Sequence, residues 1–142
     1  MPVTTPGDDR LPDCPPSPNC VCSDDPPGPR HIAPLRLRSG GDRGAGETAR
    51  LRGAVETVVA ALPGARITSS ADGRIVAEFR SRFFGFVDDV ILDIRPGRGT
   101  IAVRAAARTG FWDLGVNRRR VEAIRARLCR LGIVEPPGPP VL

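Results

Sequence analysis

Lysine and tyrosine are absent from this chain, and tryptophan, histidine and methionine occur once each. With Trp112 and five phenylalanines as the only aromatics, stacking platforms for bases are scarce, which argues against nucleic acid as a partner. The single histidine, His31, stands in a stretch without periodicity and has no placed partner, so no Ser/His/Asp or Cys/His nucleophile arrangement can be assembled. No apolar run is long enough to span a bilayer, and the opening MPVTTPGDDRLPDC lacks a charged region followed by an apolar one. A cytoplasmic chain is the resulting expectation. A phosphate-cradling glycine loop is missing too, since Gly97-Arg98-Gly99 belongs to a hairpin turn, and there is no internal repeat. No cofactor is implied.

What is present is uneven. The 142 residues, 15.1 kDa in all, suit one domain. Ten of the 16 prolines precede residue 35 and four fall in the last seven residues. The reading is therefore an irregular arm over 1–45, an α+β domain over 46–132 and a disordered Pro-rich tail over 133–142. All 21 basic residues are arginine, and the net charge is +5. The accompanying wealth of Ala, Gly and Pro points to GC-rich coding as the source of that charge, so placement of the arginines carries more information than their number.

Leu51, Val55, Val58, Val59 and Leu62 share one helical face, closed by Pro63-Gly64. Four strands are expected next, over 65–69, 74–81, 87–95 and 100–108, joined by the short turns at Asp72-Gly73 and 96–99 into an antiparallel meander. A second helix is expected from Asn117 as N-cap, with Val121, Ile124, Leu128 and Leu131 inward before Gly132. The predicted architecture is a two-layer sandwich: a four-stranded antiparallel sheet, two helices on one face, and the other face partly open or covered by the arm.

Strand parity places Asp89 and Asp93 diagonally near Arg104 on the outward face, with Arg108 farther toward Asp89, and Glu78 and Arg80 beside them. Asp88 points to the opposite face, so Asp88 and Asp89 cannot form a dyad with each other. Asn117-Arg118-Arg119-Arg120 puts three arginines at the positive end of a helix dipole, where acidic residues are favoured. Their anion is either internal, with Asp113, Asp88 or Asp89 as candidates, or a bound ligand. Phe83-Phe84-Gly85-Phe86 and Phe111-Trp112 lie at strand ends, as core or as an apolar rim.

Cys14, Cys20 and Cys22 have the spacing C-x5-C-x-C, which is poor for zinc, and no metal site is expected. A local disulfide between Cys14 and Cys20 is geometrically open, while reduced thiols would be usual in the cytoplasm. Cys129, beside core-facing Leu128, reads as a plain thiol.

Cys14-Pro-Pro-Ser-Pro-Asn-Cys20-Val21, Phe86-Val-Asp-Asp-Val90, Val103-Arg104 with Arg108-x-Gly110, and Asp113-Leu-Gly-Val-Asn-Arg-Arg-Arg120 together resemble the domain of unknown function 1499 family. The resemblance runs from Leu11 to about Leu131 and transfers no established activity. It implies that Cys14 and Cys20 correspond to the family's cysteine pair, and that Cys22 stands where serine is usual. Many members look exported or membrane-attached, and a disulfide would suit them. The family's serines between the two arginines are alanines in this chain, at Ala105, Ala106 and Ala107.

The functional expectation is a binding or structural module, more than an enzyme. Its first form is a site for an acidic small molecule or anionic group, held by Arg104, Arg108 and the Asn117–Arg120 turn near Asp88, Asp89 and Asp113. The alternatives are an enzyme using Asp88 or Asp89 as acid or base, and a module binding a protein partner through the aromatic rim.

Overall fold

The computed structural model describes residues 10–38, 45–81, 85–110 and 113–138. Phe83, Phe84, Phe111 and Trp112 lie outside them, and with them most of the expected aromatic rim. The class is α+β: helices α1 (Ala45–Ala60) and α2 (Val116–Arg130) and an antiparallel sheet. Strands β3 (Ala65–Ala71), β4 (Arg74–Arg80), β5 (Val87–Arg95) and β6 (Thr100–Ala107) form a meander.

Among the described residues the sheet has six strands, not four. The two extra ones come from the Pro-rich arm: β1 (Cys20–Cys22) and β2 (Leu35–Arg36) lie one after the other along the free side of β6. Between them Ser23 continues the pairing, its N–H donating to Val103 O and its Oγ accepting the Val103 N–H, both at 2.9 Å. Strand β6 would otherwise present a row of unpaired donors and acceptors, which a buried strand does not tolerate. The first residues of the expected tail are also ordered by pairing. Leu37 bridges Val134, and the Glu135 N–H donates to Arg36 O at 2.8 Å.

Alternation then sorts the side chains into two layers. Ile75, Ala77 and Phe79, Val90, Leu92 and Ile94, and Ile101, Val103 and Ala105 face the helices, where they meet Leu51, Val55 and Val59 of α1 and Val121, Ile124 and Leu128 of α2. On the other side the arm lies across part of the sheet and closes a second, small cluster of Leu11, Cys22 and Ala102, with Cys14 and Ile91 against it. No helix among the described residues is long and apolar enough to cross a membrane.

Helix α2 begins differently from the sequence expectation. Gly115, in the left-handed region at φ 75°, is the N-cap, and Asn117 is the second helical residue with no exposed surface. The capping oxygens belong to Asp113, which accepts the N–H of Gly115 at 2.8 Å and of Asn117 at 3.2 Å. An Asp before a left-handed glycine supplies both the acceptor and the negative charge that this helix end favours.

Candidate functional site

Most of the residues singled out by the sequence, Arg104 and Asp93 excepted, gather around one end of the sheet, where β4 ends, β5 begins and α2 starts. Asn117 is their centre. Its Nδ2 donates to Asn19 O at 3.2 Å and to Asp113 Oδ2 at 3.0 Å, and its Oδ1 accepts from Arg120 Nη1 at 2.9 Å. Arg120 also donates to Asp88 Oδ2 at 2.7 Å and lies 4.5 Å from the centroid of the Phe79 ring. Asp88 shares the inward parity of the core, and this ion pair over an aromatic face satisfies its charge.

Across the sheet, Arg108 grips Asp89 through two nitrogens, at 2.6 and 3.1 Å, and reaches Glu78 at 3.0 Å. Asp89 first and Glu78 second hold the Arg108 guanidinium well above the usual arginine pKa. Arg104 does not join them. Its Nε donates to Pro12 O at 2.9 Å and its Nη2 to Asp13 O at 3.4 Å, because the arm lies over this part of the sheet and brings carbonyls closer than either aspartate. Asp93 instead meets Arg95 at 3.2 Å and Arg74 at 3.5 Å.

The other two arginines of the α2 turn also end on backbone carbonyls. Arg118 donates to Pro29 O at 2.9 Å and His31 O at 3.1 Å, and Arg119 to Leu114 O at 2.8 Å. Among the described residues the carboxylates at this turn are Asp113, which caps the helix, and Asp88, which takes Arg120, while Arg118 and Arg119 hold loops.

Cys14 and Cys20 form a disulfide with Cα atoms 5.7 Å apart. The loop they close is fixed at both sides. Asn19 Nδ2 donates to Gly110 O at 2.6 Å, its Oδ1 accepts from Ser17, and its carbonyl receives both the Ala107 N–H and Asn117 Nδ2. Asn117 therefore links the start of α2 directly to the disulfide loop. Cys22 is a fully buried thiol whose pKa is pushed up by burial, the opposite of what a nucleophile needs.

Sequence reasoning missed two further clamps. Arg125 is 4% exposed and donates to the carbonyls of Ala33 and Pro34 at 2.7 and 3.0 Å. Position 125 lies four residues after Val121 on the core stripe, a spacing that marks it for burial even though it is charged. Arg95 makes a two-nitrogen pair with Asp24, both contacts 2.8 Å, and Asp24 also accepts the Leu11 N–H at 2.8 Å. Burial alone would raise the Asp24 carboxyl, but the Arg95 hydrogen bond, the Leu11 N–H and the Arg95 charge together bring it below the ordinary value.

The fold and these contacts define a small α+β sandwich whose disulfide-closed arm is bound to the sheet and to α2 by arginine clamps. The chain belongs to the family described as "Protein of unknown function (DUF1499)", which matches residues 10–128. No curated protein and no solved structure matches the chain.

Proposed function

We propose that this domain is a structural module without catalytic activity, in which the Arg/Asp/Asn constellation fastens a disulfide-closed arm to a rigid sheet. The observation that carries the reading is the destination of the five arginines. Arg104 and Arg118 end on arm carbonyls, Arg119 on a loop carbonyl, and Arg108 and Arg120 on carboxylates. With its donors already engaged, this constellation offers an acidic small molecule little to displace. Asp88 and Asp89 are both held by arginine, which argues against use of either as acid or base. The bridge between Cys14 and Cys20 supports a working environment where disulfides persist, an oxidising compartment in preference to the cytoplasm.

The test is alanine substitution at Arg104 and Arg118. Each removes charged donors from arm carbonyls and is expected to lower stability by about 1–2 kcal/mol and to open the arm to proteolysis. If both variants keep full stability and an intact arm, the clamp reading fails.

A further inference from the structure

A second group of arginines is not committed in this way. Arg66 of β3 pairs in register with Glu78 of β4, and both project from the outward face. Glu78 nonetheless turns to Arg108, the arginine that also holds Asp89. Arg66 is exposed and, among the described residues, donates to no protein acceptor. Arg80 lies two residues beyond Glu78, making it a diagonal neighbour of Arg66 at a Cα separation of about 7–8 Å. Its guanidinium donates to Gly85 O at a long 3.4 Å. Two arginines thus flank a carboxylate that is itself engaged by a third, which leaves most of their guanidinium donors open to an anion from solution.

The ground between them is concave. Pro63, Gly64, Ala65, Ser81 and Val87 wall a depression of about 680 Å³ that Arg66, Arg80, Glu78 and Arg120 also line, the last two held by Arg108 and Asp88. The turn that shapes it is rigid. Gly64 has φ +77°, its carbonyl accepts the Arg80 N–H at 3.0 Å, and a Cβ on it would collide with the Arg80 carbonyl oxygen. This close approach sets where the side chains of Arg66 and Arg80 leave the backbone. The volume is in the range of small-ligand sites, and two guanidinium forks present paired N–H donors suited to tetrahedral oxyanions.

We propose that Arg66 and Arg80 form a binding site for a phosphate-type anion in the depression beside the α1–β3 turn. The site borders the constellation at Glu78 and Arg120 but takes its anion-binding donors from Arg66 and Arg80. The experiment is a titration of the full, oxidised chain with inorganic pyrophosphate, followed by amide NMR and thermal shift, against sodium chloride of matched ionic strength. Saturable shifts at Gly64, Arg66, Arg80 and Ser81 are expected, and Arg66→Ala and Arg80→Ala should each weaken binding about tenfold or more. Both positions are exposed, and the Arg80 N–H bond to Gly64 survives the substitution, so the variants should retain the wild-type circular dichroism spectrum. The proposal is overturned if pyrophosphate does no more than chloride, or if the double variant binds as tightly as the original chain.

Discussion

Replacing Asn117 by alanine tests whether the constellation holds the fold together. The side chain is fully buried and makes three hydrogen bonds, to the Asp113 carboxylate, from the Arg120 guanidinium and to the Asn19 carbonyl. All three partners keep another contact: Asp113 with the Asn117 N–H, Arg120 with Asp88, and Asn19 with the Ala107 N–H. The two charged bonds therefore count near the lower end of their range, about 1.5 kcal/mol each, and the neutral one about 1 kcal/mol, for a loss of roughly 3–4 kcal/mol. For a chain of 142 residues that corresponds to a fall in Tm of roughly 10 °C. Urea denaturation should show a lower midpoint with an unchanged slope, the mark of lost stability without a change in the surface exposed. Asn117→Asp gives the complementary result. It retains an acceptor for Arg120 but sets an oxygen against Asp113 Oδ2 and Asn19 O, the two acceptors that Nδ2 now serves at 3.0 and 3.2 Å. At neutral pH it should be at least as damaging as alanine, with partial recovery as pH falls toward about 4, because a carboxyl buried against two acceptors takes up its proton above its ordinary value. If both variants stay within about 1 kcal/mol of the original, Asn117 does not join α2 to the arm in the way described.

Two further outcomes follow from the arm. The cysteines are six positions apart, so reducing the bridge, or replacing both cysteines by serine, should cost about 2 kcal/mol through the added freedom of the unfolded chain, measurable as a lower urea midpoint. The acid limb of stability should depend on Asp24. Its pKa is lower in the folded state, so its contribution is fully present above the unfolded value near pH 4 and is lost as pH falls through the folded value. Asp24→Asn should therefore flatten the loss of stability below about pH 4 while lowering stability at pH 7, and an unchanged acid limb would contradict the Asp24–Arg95 pairing.

Periodicity made the main elements readable in the sequence. The stripe from Leu51 to Leu62 and the alternation of β4, β5 and β6 are long enough to define a period, and both helices and the meander follow from them. Strands β1 and β2 span three and two residues, too short for any period, and lie among prolines. Only the need of β6 for partners on its free side reveals them. The site was readable as a set of residue types, but the destinations of its arginines were not. Arg104 has aspartates on a neighbouring strand at suitable parity, yet a carbonyl of the arm, 92 positions away in sequence, comes nearer. Backbone carbonyls carry no residue-type signal, so clamps that end on them, including Arg118 and Arg125, stay hidden until the chain is folded.

Native-state hydrogen exchange of the arm amides tests most directly whether arginines bind the arm. Leu11, whose N–H donates to Asp24, reports on the segment under Arg104, while Cys22 and His31 report on the loop under Arg118. In Arg104→Ala the Leu11 amide, and in Arg118→Ala the Cys22 and His31 amides, should exchange roughly tenfold faster or more, as a local loss of ~1.4 kcal/mol requires, while the amides of α1 change little. Equal exchange in the variants and the original chain would contradict the clamp account.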